Sequence, residues 1–132
     1  FNIKGMDHGL VAAVLNDYFN IAVRNECFCA HPYVKELILD DMLDAITDIP
    51  EEEIESIYKL LAGMVRASFG LYNKPEDVDA LINALQEIVF RKEEFVALYH
   101  VDENGNYVHN TFRMDIENHY SVREFVSKYL NN

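Results

Sequence analysis

Residues 7–32 read DHGLVAAVLNDYFNIAVRNECFCAHP, and the hydrophobic period changes halfway through. In the first half, Leu10, Val11, Val14, Leu15 and Tyr18 recur at helical spacing, with Asp7 placed to cap the first turn. That predicts a helix over 7–20. The stretch NIAVR, residues 20–24, is short and partly β-branched, and predicts a strand running into a segment that holds Cys27, Cys29 and His31. A helix that feeds a strand directly needs a sheet to join and further helices to cover it.

Working outward, FNIKG at residues 1–5 alternates like a strand, with Phe1 and Ile3 on one side. The chain carries no initiator methionine there and begins inside the strand pattern, which predicts a piece excised from a longer protein. From Tyr33 to about Thr47, Val34, Leu37, Ile38, Met42 and Ile46 fit a helix. A second helix is predicted from near Pro50, with Glu51, Glu52 and Glu53 in its first turn, where the helix dipole favours acids. Its inner face would be Ile54, Ile57 and Leu61, and Gly63 would end it. Residues 33–62 therefore read as an acidic helical segment.

MVRASFGLY, residues 64–72, predicts another strand. NKPEDVDALINALQEIVF, residues 73–90, is the clearest helix, with Asn73 as cap, Glu76 three residues on, and a stripe of Val78, Leu81, Ile82, Leu85 and Val89. Residues 95–132 predict a hairpin, FVALYHV and NYVHNTF turning at Asn104 and Gly105, then a C-terminal helix starting at Ser121 with Glu124 at capping-box spacing. The sum is one α+β domain spanning residues 1–132: a small, mostly antiparallel sheet with helices packed on one face.

Half of the 132 residues are hydrophobic, enough for a core. Twenty-three acids against 11 lysines and arginines give a net charge of −12, which argues against nucleic acid or an anionic membrane surface as partner. No apolar run approaches the roughly 20 residues of a bilayer span. The two cysteines are separated by one residue and are poorly placed to bridge each other, which suits a reducing, cytoplasmic setting.

Cys27, Cys29 and His31 alternate, and three readings are open for them. A zinc site would need a fourth ligand and a second cysteine pair, which the sequence lacks. Buried cysteines pack as small hydrophobes. A reactive thiol needs a cationic, partly exposed setting, and Arg24 and His31 are near in sequence. Arg66 sits in an otherwise apolar strand and needs a carboxylate, supplied either by the protein or by a ligand.

Two stretches together resemble one family. LNDYFNIAVRNECFCAHPY is similar to the G-I-A-V-R-x-G-H-H-C-A-x-P pattern of class V aminotransferases, in the cysteine desulfurase and selenocysteine lyase branch. VRASFGLYNKPEDVDALINALQEI is similar to that family's R-A-S-x-x-x-Y-N-x-x-E-D-V-D-x-L-x-x-x-L. The resemblance covers residues 1 to about 92. It implies the C-terminal small domain of a fold-type-I enzyme dependent on pyridoxal 5′-phosphate, with an α-amino acid as substrate. Cys29 falls on the cysteine that accepts sulfur as a persulfide, Arg66 on the arginine that holds the substrate carboxylate, and Arg24 on the arginine of the first motif.

Three departures accompany it. Glu26, Cys27 and Phe28 stand where the family has Gly-His-His, Cys27 adds a second thiol, and Arg66 follows Cys29 by 37 positions, a longer spacing than the family's. The cofactor lysine belongs to the family's large domain, so no cofactor-binding residue and no metal ligand is assigned here, and the chain alone is expected to be inactive. The implied partners are the large domain of the same chain, a second subunit in a homodimer, and a sulfur-acceptor protein. The alternatives are an aminotransferase, lyase or epimerase without sulfur transfer, or a non-catalytic interaction module.

Overall fold

A computed structural model describes residues 1–26, 31–46, 50, 63–112, 121–122 and 125–127. Helix α1, His8–Phe19, forms where the apolar period predicts it, and the Asp7 carboxylate accepts a hydrogen bond from Gly9 N at 2.7 Å. It ends at Asn20, whose φ of 54° is left-handed; asparagine tolerates that conformation, and Ile21 N then bonds back to Leu15 O. Strand β1 is Arg24–Glu26, helix α2 is His31–Ile46, and strand β2 is Met64–Arg66. Helix α3, Pro75–Phe90, is followed by the short helix α4, Lys92–Leu98, and then by strands β3, Tyr99–Val101, and β4, Tyr107–His109.

The α+β class holds, as two antiparallel two-stranded ladders, β1 with β2 and β3 with β4. Phe1 extends the first ladder: its backbone exchanges two 2.9 Å hydrogen bonds with Val65, on the edge of β2 away from β1. The core is built from α1 outward. Leu10, Val11, Val14 and Leu15 are buried against Val65 of β2, Ala84 and Ile88 of α3, Phe95 of α4 and Tyr99 of β3. Both ladders and α3 therefore meet on α1.

Five expectations need correction. The strand expected over 20–24 forms at Arg24–Glu26 instead. Residues 1–5, also expected as a strand, make a turn closed by an isolated Ile3–Met6 bridge, with only Phe1 joining the ladder. The strand expected over 64–72 stops at Arg66, and farther on Asn73 accepts a 2.7 Å hydrogen bond from Gly70 N in a turn. The cap of α3 is Lys74 and not Asn73: Asp77, not Glu76, accepts from Lys74 N at 2.8 Å, while Asn73 donates to the same carboxylate. Residues 95–98, expected as a hairpin strand, are helical. Arg91 ties Glu87 of α3 to Glu94 of α4, and the helical turn drives Phe95 fully into the core. The β3–β4 turn falls at the expected place, with Gly105 at φ 83°. The helix expected from Pro50 lies outside the described residues. Val122 and residues 125–127 are helical.

Candidate functional site

In the β1–β2 ladder Arg24 opposes Arg66, Asn25 opposes Val65, and Glu26 opposes Met64. Alternation along a strand settles which way each residue faces. Val65 is buried in the core and the Asn25 side chain meets His8 of α1, Nδ2 to Nδ1 at 3.3 Å, so that face of the ladder is the one packed on α1. Arg24 and Arg66 stand on the opposite, exposed face, directly across from each other. Two residues read separately from the sequence thus share one surface. Like charges placed opposite on a sheet repel. The pair lies on one face of a chain whose net charge is −12, with Glu26 two residues along the same strand. Planar guanidiniums match a carboxylate's two oxygens, which is the chemistry such side chains offer.

The ladder is held from behind. Gly63, just before β2, lies against the His8 ring, and its carbonyl accepts from Asn2 Nδ2 at 3.0 Å. His8 and Asn25 were not singled out by sequence reasoning. A histidine at a helix start and an asparagine between charged residues carry no pattern of their own, and only the strand-to-helix packing joins them.

Glu26 ends β1 with φ 83°, a left-handed backbone uncommon for a residue other than glycine, so the chain turns sharply where it enters the cysteine segment. Cys27 and Cys29 lie outside the described residues. Beside Glu26 opens a cleft of about 580 Å³, walled by Asp7, His8, Asn25, Asn106 and Tyr107. Burial, and then the Asp7 carboxylate, push the Tyr107 phenol up. Among the described residues no group of histidine, cysteine and acid side chains is arranged to hold a metal, and Cys27 and Cys29 of the zinc reading lie outside them. No helix among the described residues is long and apolar enough to cross a membrane.

Comparison with known proteins adds three findings. The sequence model of the family described as Aminotransferase class-V matches residues 1–81. A molybdenum cofactor sulfurase of Bombyx mori is 36% identical over 75 residues, covering 52% of this chain and 9% of that protein. The chain therefore spans less than a tenth of the length of this curated relative. No solved structure matches it significantly. The family match takes in α1, both strands of the first ladder and the start of α3; the β3–β4 hairpin lies beyond it.

Proposed function

The chain belongs to the class V aminotransferase family, and from that premise we propose that it is the C-terminal small domain of an enzyme dependent on pyridoxal 5′-phosphate. In this reading Arg66 and Arg24 hold the α-carboxylate of an amino-acid substrate. The Cys29 thiolate attacks the substrate's sulfur to form a persulfide while the Cβ–S bond breaks and Cβ takes up a proton, leaving alanine, which is cysteine desulfurase chemistry. With selenium in place of sulfur it is selenocysteine lyase chemistry. The observation that carries the reading is the register of the first ladder, which sets Arg24 opposite Arg66 on one exposed face.

What this chain offers fits the substrate end of such a site. Two guanidiniums supply a carboxylate clamp, and Cys29 follows the clamp strand by three residues in sequence. The cofactor, held by the large domain, supplies an electron sink when bound. The clamp fixes the amino acid by its carboxylate, which orients the rest of the molecule toward the reacting groups. The Cys29 thiolate is the nucleophile, and Arg24 nearby in sequence favours the charged thiolate over the thiol. The resemblance to a molybdenum cofactor sulfurase supports sulfur transfer over aminotransferase or epimerase chemistry. A homodimer, the large domain and a sulfur-acceptor protein complete the proposed assembly. The 132-residue chain alone is inactive in this reading, with no cofactor lysine of its own.

Two measurements on the full-length protein test it. Arg66→Ala is expected to raise KM for the amino acid far more than it lowers kcat. Losing a desolvated charge pair costs about 2–5 kcal/mol, which is roughly 30-fold or more in kcat/KM. An unchanged KM would remove Arg66 from the clamp. Incubation with cysteine is expected to leave a persulfide on Cys29, and incubation with selenocysteine its selenium analogue, and Cys29→Ala is expected to abolish both with cofactor binding intact. If both cysteines resist alkylation until the protein unfolds, they are core residues and the sulfur-transfer part of the reading fails.

A further inference from the structure

We propose that His109 is an acid-released latch that fixes the chain leaving β4 against helix α1. The proposal rests on hydrogen-bond direction and is independent of the reading of the arginine site. His109 Nδ1 lies 3.2 Å from Thr111 N and 2.9 Å from Phe112 N, with Thr111 Oγ1 at 3.4 Å. Backbone N–H groups only donate, so Nδ1 must carry the lone pair. A neutral imidazole has one such nitrogen, and its proton is therefore on Nε2, which donates to Tyr18 Oη at 2.9 Å. The tautomer is fixed by the bonds on both sides of the ring.

Protonation affects the two sides differently. Nε2–H keeps its bond to Tyr18. Nδ1 becomes a donor facing two donors, and the turn over residues 109–112 loses the acceptor that closes it. The ring itself has a place to stay when charged. Asp17 and Tyr18 from α1 line the same small pocket, of about 190 Å³, and Tyr99 from β3 packs edge-on at 5.1 Å. The Asp17 carboxylate accepts from Tyr99 at 2.9 Å, and among the described residues no lysine or arginine lines the pocket. Acid is therefore expected to release Thr111 and Phe112, with the Phe112 ring leaving its 6.3 Å edge contact on His109, while β4 stays paired with β3.

The hairpin contains its own control. His100 Nδ1 sits 2.8 Å from Asn110 Oδ1, an acceptor, so this ring donates from Nδ1. Its bond survives protonation. Two histidines on paired strands thus respond oppositely to the same proton.

The test is amide exchange on the 132-residue chain, read alongside the nitrogen resonances of the imidazoles. At neutral pH His109 is expected as the Nε2–H tautomer and His100 as the Nδ1–H tautomer. As His109 protonates, exchange protection at Thr111 and Phe112 is expected to fall at least tenfold, while Val14 and Leu15 in α1 keep theirs. His109→Asn supplies a side-chain oxygen that accepts the same amides as an Asx turn but takes up no proton. Protection at Thr111 and Phe112 should then no longer depend on pH, whereas His100→Asn should leave the wild-type curve. An Nδ1–H tautomer at neutral pH, protection that persists through protonation of His109, or the same acid loss in His109→Asn would each overturn the latch.

Discussion

Gly63 shows how tightly the first ladder is fitted to helix α1. A Cβ there would fall within contact distance of the His8 ring, and both neighbours are fixed, His8 by Asn25 and Gly63 through its carbonyl by Asn2. Gly63→Ala is expected to destabilise the chain by about 1–3 kcal/mol, the usual cost of overpacking, measured by urea unfolding. Adding His8→Ala should recover part of that loss, because the two residues are in contact. Tyr99 carries a second residue-scale consequence. Burial, and then the hydrogen bond to Asp17, raise its phenol well above the ordinary value. The neutral form is the one the fold favours. Its contribution is full below about pH 10, where the unfolded phenol titrates, and is lost as pH rises toward the raised value. Tyr99→Phe should therefore flatten the alkaline limb of a stability–pH curve, and an unchanged limb would assign it to other groups. Neither residue announced its role in the sequence, since both roles come from partners far along the chain.

At the scale of elements, the long helices were legible, while strands were legible in place but not in their ends and the short helix α4 was missed. The 3.6-residue period of Leu10, Val11, Val14 and Leu15 marks α1 and its buried face. The stripe of Val78, Leu81, Ile82, Leu85 and Val89 marks α3 as a helix but misplaces its inner face, because Ala84 and Ile88 are buried while Val78, Ile82 and Val89 are exposed. Three-residue strands leave too little alternation to fix their ends. Arg24 and Arg66 were each recognisable as candidates, but that they oppose one another is a matter of register, which sequence spacing does not encode when some 40 residues intervene. Phe95 read as a strand residue because its neighbours are apolar; the Glu87–Arg91–Glu94 tie continues the helical path instead. The start of α3 offers a test at this scale. Asp77 takes hydrogen bonds from Lys74 N and the Asn73 side chain, which hold its carboxyl below the usual range. A lowered carboxyl stabilises above its unfolded value and loses that contribution as pH falls. Asp77→Ala should accordingly lower Tm at neutral pH, and the difference from wild type should vanish in acid.

For the whole molecule, charge and apolar surface pull in opposite directions. Helix α3 turns Ala84 and Ile88 into the core, yet Val78, Ile82 and Val89, on an adjoining flank, are exposed at 38, 46 and 58%. Leu71 and Tyr72, in the turn before the helix, are also exposed. Contiguous apolar surface of this kind drives association when nothing covers it. In the isolated chain the surface available is a second copy, and each copy carries a net charge of −12 that resists the approach. Repulsion between exposed charges is screened by salt, while apolar contact is not weakened by it. The 132-residue chain is therefore expected to sediment nearer to a monomer at low ionic strength and to associate as ionic strength rises, the reverse of a salt-bridged dimer. Ile82→Lys or Val89→Lys should suppress that association with the helical circular-dichroism signal retained, because neither side chain is part of the core. A chain that stays monomeric at high ionic strength, or that associates equally well with lysine at both positions, would show that the flank of α3 is not the surface that joins the copies.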